Sequence, residues 1–518
     1  MGFKAVFAYT QTPQIHSGEF HFRIRDLVVP ESLPSLQLGS DGFRTRFVFP
    51  FDHPQKPAEQ AESEIARALC ALDDATLLFL SHISRISYSL RNGREGQLER
   101  LVPPELQRAD SPGEQIQVSV HDPSNGSRIS HWLRYQGLVA VNGGTERKDC
   151  MVAVAFGLEE SAGKGKNVRR KIFPLSPGRV SIYFPAEKET SNLRFHIHAP
   201  FASTVARDSI RDSDGNRELL AAIAELAASS LEDIRDRGLL TVSALDVLPI
   251  EEDNLSSFYE PVRERLVEEF LLNDLVPTKS GGHRKAENLF RGPSDIVNLI
   301  SDEDLATITG DKWAIPLWCA NPPQVNQRAD KFLEALEIED WGWEELSASL
   351  SCDRTDLILA EDPERPDRLT NWLNAKDDTW LKQFYTLLHD ATDRHCTLDI
   401  SGWPFVRVDG TVGTFLIEPE QAFFPPTVER LTRDDIRFVR SETYSSGKSA
   451  QEKSKARLFL ESAGVRVFDE ESELALILDR YEDDSFPHIE EHLEHIKRFV
   501  AFYTASPHKT DVFSHKRI

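Results

Sequence analysis

The feature that most constrains this chain is a change of hydrophobic period along its length. Between about Thr76 and Ala199 apolar residues recur in a strand-like pattern, broken by the turn-forming dipeptides Asn92-Gly93, Asp122-Pro123, Asn125-Gly126 and Gly143-Gly144. A run of that kind reads as antiparallel hairpins, because tight Asn-Gly and Gly-Gly connections match the twist of the strands they join. Beyond it the period lengthens. Asn216–Arg237 carries Leu220, Ile223, Leu231 and Ile234 on one helical stripe, with Ser213 or Asp214 placed to cap its start and Gly238 to end it. After Pro249 helical segments dominate: Phe258–Leu272, Gln327–Ile338, Leu369–Leu388 and Ala450–Ser462, separated by loops containing Pro and Gly. Strands first and helices second predict an α+β fold.

The first 50 residues form a separate strand-rich stretch, with Phe20, Phe22 and Ile24 on one face of one run and Thr45, Phe47 and Phe49 alternating in another. Pro57–Leu72 then reads as a helix, acidic in its first turn, with Ile65, Leu69 and Leu72 at helical spacing. Seven of the eight tryptophans lie between Trp313 and Trp403, which predicts either a separate core or a broad aromatic interaction surface in the C-terminal half. No fixed-period repeat is present.

At 518 residues the chain is long enough for two to four domains of roughly 100–200 residues. Its 60 Lys and Arg against 84 Asp and Glu leave a net charge of −24, a field that repels phosphate backbones and anionic lipids. Nucleic acid and membrane surfaces are therefore disfavoured as partners. The one dense basic run, Lys164, Lys166, Arg169, Arg170 and Lys171, has no interleaved aromatic to stack a base and reads as a solvated hairpin tip. The five cysteines, Cys70, Cys150, Cys319, Cys352 and Cys396, are scattered and form no C-x-x-C pair, as expected of a protein in the reducing cytoplasm. No apolar run approaches the 18 or so residues of a membrane span, and the opening MGFKAVFAYT lacks the basic and apolar regions of a signal peptide.

Three short motifs are weighed against plainer readings. His488-Ile489-Glu490-Glu491-His492 matches the H-x-x-E-H zinc-protease spacing, but Pro487, the acidic first turn and the stripe Leu493, Ile496 and Val500 describe an amphipathic surface helix, and a further ligand is lacking. Ser446-Gly447-Lys448-Ser449 ends like a phosphate-binding loop, yet Glu442 stands where that loop needs its first glycine. His196 and His198 share one face of a strand with no Cys or carboxylate at partner spacing, and read as core or interface histidines.

The opening residues carry the most specific signal. Met1-Gly2-Phe3-Lys4-Ala5-Val6-Phe7, with Pro13-Gln14-Ile15-His16-Ser17 and Phe20-His21-Phe22-Arg23-Ile24, resembles the end of the glycine-rich ATP lid, G-x-x-G-x-G-F, of the GHKL (Bergerat-type) ATPase superfamily, and specifically its sacsin and NO VEIN branch. Such glycines let backbone N–H groups at a helix start approach phosphate. Gly42-Phe43-Arg44-Thr45-Arg46-Phe47 is similar to the superfamily's adenine-side threonine strand, with Arg44 in place of the usual glycine. Val180–Pro185, Phe195–Phe201 and Arg207–Arg211 are similar to the transducer segment that follows the nucleotide domain in sacsin-like proteins.

The resemblance implies a residual edge of a nucleotide domain over residues 1–57, a β-rich transducer-like domain over 58–249 ending in a long helix, and a mainly helical, Trp-rich region over 250–518. It implies ATP and magnesium as cofactors, with Gly2, Phe3, Lys4 and Thr45 on the nucleotide and Arg207 and Arg211 as candidates for its γ-phosphate. The plainer alternative pairs Arg207 with Asp208, Asp212 or Asp214. In the family the water-activating Glu, the magnesium Asn and the adenine-reading D-x-G all precede the lid, so the chain resembles an ATPase whose site is cut away, and no catalytic residue is assigned. The expected function is a sacsin-like ATP-binding protein, chaperone-like or defence-related, acting on a protein partner or client. The alternative is a non-enzymatic interaction module that uses the Trp-rich half.

Overall fold

The computed structural model describes residues 2–36, 44–122, 126–142, 147–162, 168–204, 209–310, 317–322, 327–350, 364–394, 403–410, 413–425, 436–445, 450–479, 481, 488–508 and 513. The chain divides into two units, Met1–Leu275 with Pro322–Leu336, and Val276–Asn321 with Glu337–Ile518. The first is β-rich with a large antiparallel sheet and the second is mainly helical, so the chain is of the α+β class.

In the first unit a short 3₁₀ helix, Gly2–Ala8, leads into a four-stranded sheet of β1 (Gln14–Ser17), β2 (Phe20–Arg25), β3 (Val29–Ser32) and β4 (Thr45–Val48), in the order β3-β2-β1-β4. Ile15 lies between Phe22 and Phe47, and Ser17 between Phe20 and Thr45. Much of its apolar surface stays open, with Phe20 72% and Phe47 51% exposed. Polar ties anchor this region. Asp52 accepts from the Thr10 hydroxyl (3.0 Å), the Gln11 amide (2.7 Å) and the Thr12 hydroxyl (2.6 Å), and Glu64 of α1 (Ala58–Cys70) accepts from Tyr9 (3.2 Å) and Lys56 (2.6 Å).

After α2 (Ala75–Leu78) comes a nine-stranded sheet: β5 (Arg85–Ser89), β6 (Glu95–Leu101), β7 (Glu114–Asp122), β8 (Gly126–Asn142), β9 (Arg147–Ala162), β10 (Val168–Phe173), β11 (Arg179–Ile182), β12 (Phe184–Thr190) and β13 (His196–His198). The hairpin reading of the sequence holds: neighbours from β5 to β9 pair antiparallel in chain order, and only β11 and β13 run parallel. Val152–Phe156 of β9 is buried at every position because both faces are covered. Ala153 and Ala155 join Trp132, Val118 and the α2 residues Leu77 and Leu78 in one cluster. On the other face β8 and β9 pack against α3 (Asp214–Asp236), where Leu219, Leu220, Ile223, Leu231 and Ile234 are buried. Gly238, at φ 70°, ends that helix by donating to Arg235 O, and Leu239 donates to Ile234 O.

α4 (Glu260–Leu272) packs on α3. The returning helix α7 (Arg328–Glu334) belongs to this unit: Arg328 forks onto the Asp253 carboxylate at 2.5 and 2.7 Å and donates to the Asp246 and Leu248 carbonyls.

The second unit comprises α5 (Ser294–Leu299), α6 (Asp302–Thr309), α8 (Trp343–Leu350), α9 (Arg365–Asn374), α10 (Asp378–Asp393) and α11 (Ala450–Ser462), with small two- and three-stranded sheets between them, and the pair α12 (Glu470–Asp479) and α13 (Ile489–Ala505). Of the two readings of the tryptophan cluster, the structure takes the first. Trp318, Trp341, Trp372 and Trp403 are buried in one core with Phe384, Tyr385 and Phe405, and Trp343 and Trp380 pack against it; Trp313 lies outside the described residues.

Two helical expectations need correction. Leu369–Leu388 is two helices, because Asp377 caps α10 by accepting the Trp380 amide at 2.7 Å while Arg407 donates to the carbonyls of Leu373, Asn374 and Lys376 at the junction. The stripe Leu493 and Val500 of α13 is exposed, and its buried face is His495, Phe499 and Phe502. Among the described residues no helix is long and apolar enough to cross a membrane.

Candidate functional site

A cleft of about 760 Å³ opens in the nine-stranded sheet, lined from α2, β8, β9, β10, β11 and β13. Register builds it. His131 of β8 lies opposite Leu158 of β9, Ile172 of β10 opposes the same Leu158 from the other side, and His196 of β13 opposes Ala155. Gly157 lets the Phe173 ring lie against β9, since a Cβ there would come within 2.7 Å of that ring. Gly178 lets the chain before β11 pass against Phe195, whose carbonyl oxygen would be 2.0 Å from an added Cβ.

The cleft has an aromatic floor. The His196 ring stacks on Trp132 with centroids 5.0 Å apart, and the Trp132 indole N–H donates to Ser130 Oγ at 2.9 Å. His196 Nδ1 accepts the Arg179 amide proton at 2.7 Å, which assigns the ring proton to Nε2. Burial, with a smaller contribution from the Arg179 charge, pushes the His196 pKa down to about 3, so the ring is neutral at physiological pH. Behind it His198 stacks on Phe79 at 5.2 Å and is pushed down to about 4 by burial.

The rim is polar and largely internally paired. Arg179 Nη2 meets Asp73 at 2.5 Å; burial raises that carboxyl's pKa and the guanidinium opposes the rise. Glu160 accepts from Arg170 at 2.9 and 2.7 Å and has His131 Nδ1 at 3.5 Å, while Lys171 meets Glu159 at 2.8 Å. The basic run read as a solvated tip is thus partly spent on ion pairs across β9 and β10, with Lys164 and Lys166 outside the described residues. The polar contacts of His131 and His196 run to Glu160 and to the Arg179 amide, not to a serine or cysteine hydroxyl or thiol. The arrangement suits binding of an amphipathic ligand: an aromatic floor, one neutral N–H donor and charges of both signs at the edge.

A smaller cavity of about 550 Å³ near the N terminus is lined by Phe7, Gln11, Thr12, Arg25, Asp26, Leu27 and His53. Of the sequence-derived nucleotide residues whose side chains are described, Thr45 and Arg211 line neither cavity. Gly2, Phe3 and Lys4 lie in the 3₁₀ helix Gly2–Ala8. Thr45 opens β4, exposed, with its hydroxyl 2.7 Å from Ser17 Oγ. Arg211 is exposed; its amide donates to Ala202 O and its carbonyl accepts from Asn216 Nδ2 at 2.7 Å. Arg207 and Ser446–Ser449 lie outside the described residues, and Asp212 is forked by Arg217 at 2.8 Å.

His492 Nδ1 and His495 Nδ1 each lie 2.9 Å from the Tyr481 hydroxyl, and no group of three or more His, Cys, Asp and Glu among the described residues is placed to hold a metal ion. The cleft's Trp132, Phe173, Arg179 and Asp73 were not visible as a site in the sequence. They come from β8, β10, β11 and the turn before α2, and only strand register and the placing of α2 bring them together. No protein family profile, curated protein or solved structure matches the chain.

Proposed function

We propose that this chain forms the lid-edge, transducer and helical parts of a sacsin-like, GHKL-type ATP-binding protein, a chaperone-like or defence-related conformational switch that acts on a protein partner. The observation that supports this reading is the adjacency of its two N-terminal motifs. Strand β1, which follows the lid-like Gly2–Ala8 helix, pairs directly with β4, so that Ser17 and Thr45 face one another. Gly2, Phe3 and Lys4 would offer phosphate contacts, Thr45 an adenine-side hydroxyl, and Arg207 and Arg211 positive charge. These residues do not by themselves fit a complete site for ATP and magnesium: Thr45 and Arg211 are exposed and line neither of the two cavities described above. The reading therefore gives the chain nucleotide contact without a hydrolytic step.

Hydrogen exchange on the full chain with and without magnesium ATP tests it. Slower exchange confined to Gly2–Ala8, Thr45–Val48 and the turn about Arg211 is expected at millimolar nucleotide, with phosphate release no faster than a blank. Unchanged exchange in all three segments rejects the reading. Turnover that disappears on Arg211→Ala rejects the non-hydrolytic part of it.

The cleft favours a second reading, a non-enzymatic interaction module. The described tryptophans of the second unit are committed to its core, so this reading rests on the floor of Trp132, His196 and Phe173 instead.

A further inference from the structure

Helix α13 carries two apolar faces, and the described residues cover only one. His495, Phe499 and Phe502 close a small core with Leu474, Ile477, Leu478 and Tyr481. The second face is Ile489, Leu493, Ile496, Val500 and Tyr503, spaced alternately four and three residues apart. Ile489 is 79%, Leu493 53%, Val500 59% and Tyr503 54% exposed, and Ile496, at the border of the two faces, is half-buried against the small core. That alternation is the seam of a coiled coil, so the surface is shaped for another helix.

The charges beside the seam say which helix. In the heptad frame Leu493 and Val500 are a positions and Ile489, Ile496 and Tyr503 are d positions, which puts Glu490 and Lys497 at successive e positions. The g positions, His492 and Phe499, are turned toward Tyr481 and the small core. In a parallel pair e would face g, and neither g residue carries a complementary charge free for the task. In an antiparallel pair e faces e, and Glu490 of one copy meets Lys497 of the other, twice by the two-fold axis. The same register stacks Ile489 on Val500 and Leu493 on Ile496 of the second copy.

We propose that α13 is a self-association surface through which two copies of this chain pair antiparallel along the Ile489–Tyr503 seam, in a register set by Glu490 and Lys497. In the single chain Lys497 bonds Glu494 at 2.9 Å, an exposed pair that exchanges for the intermolecular one at little cost. A seam of about two heptads falls short of the roughly 1,600 Å² of a standard interface, so the dimer is weak and reversible.

Sedimentation velocity of the full chain across concentration is the test. A monomer–dimer equilibrium in the range of roughly tens of micromolar is expected. Leu493→Glu should leave a monomer with unchanged circular dichroism and melting temperature, because the side chain is exposed. Glu490→Lys and Lys497→Glu should each weaken the dimer about fivefold or more, and the double variant should return it to within about twofold of the wild type. A wild type that stays monomeric overturns the proposal and leaves the seam to the chain's own residues or to another protein. A dimer unaffected by Leu493→Glu places association elsewhere, and failure of the double variant to recover overturns the antiparallel register.

Discussion

In the nine-stranded sheet Ile116, Val118 and Val120 are at most 2% exposed, whereas in the four-stranded sheet Phe20 and Phe47 are 72% and 51% exposed, although both runs alternate in the same way. Alternation decides which side chains share a face. It does not decide whether that face is covered. The large sheet is covered by α2 on one side and α3 on the other, and the apolar stripe of α3 is long enough to bury Tyr135 and Val154 beneath it. The small sheet is fastened through Asp52 and Glu64, by polar contacts that hold the chain in place without enclosing the aromatic rings.

The sharpest way to break this comparison is to put a charge on each sheet. Val118→Asp buries a carboxylate with no partner, and its expected cost exceeds about 4 kcal/mol, enough to unfold the first unit. Phe47→Asp should cost no more than about 0.5 kcal/mol. Urea unfolding of both variants decides it, and a large loss for Phe47→Asp would mean that the small sheet is covered in the native protein. Glycines offer the next contrast. Gly178→Ala would drive Cβ onto the Phe195 carbonyl, a backbone atom that cannot rotate away, and should cost about 3 kcal/mol. At Gly18, φ 56° with open space around it, alanine meets only the left-handed backbone penalty, about 1 kcal/mol.

A smaller contrast concerns carboxylates. Asp233 of α3 accepts from Tyr135 at 2.7 Å, from Arg237 at 2.7 Å and from Ser111, joining helix to sheet. Burial works to raise its pKa, and the hydrogen bonds from Ser111, Tyr135 and Arg237 outweigh it, so the carboxyl titrates below its ordinary value. The stabilisation is complete above about pH 3.9 and is lost as pH falls through the lowered pKa. Asp233→Asn should cost about 2 kcal/mol at neutral pH. Glu31→Gln, which removes the Arg23 and Arg25 ion pairs of the small sheet, should cost less than about 0.5 kcal/mol.

What could be read from the sequence follows the same division. The hairpins of the large sheet, the limits of α3 and the role of Gly238 were all legible, because each depends on neighbours within a few residues. The break between α9 and α10 was not. Leu369, Trp372 and Leu373 continue in phase toward Leu381 and Phe384, and the local signal, Asp377 as a cap, is one residue among many acids. The other cause of the break is Arg407, which sits far along the chain. On α13 the period was legible and the buried side was not, because apolar residues occupy both faces and only the packing of Tyr481 tells them apart. The cleft was least legible of all. His196 was visible as a strand histidine, but Trp132 beneath it and Arg179 beside it depend on register across β8, β9, β13 and β11.

The smallest of these contrasts, and the finest probe of burial in the large sheet, is supplied by His196. Its ring is 5% exposed, accepts the Arg179 amide, and has its pKa pushed down to about 3, chiefly by burial. In the unfolded chain a histidine titrates near 6.5. Between those two values the unfolded state binds a proton that the folded state refuses, so the stability associated with neutral His196 is complete above about pH 6.5 and declines as pH falls toward 3. His198, pushed down to about 4, adds a slope of the same sign. His196→Gln retains an acceptor for the Arg179 amide and does not titrate. Between pH 7 and pH 5 the variant should therefore lose about 1 kcal/mol less than the wild type in chemical denaturation, after discounting for partial access of water to the cleft. If both proteins lose the same amount, the ring takes its proton in the folded state as readily as in the unfolded one. The floor of the cleft would then be wet, and the two sheets would differ in burial by less than their side-chain exposures show.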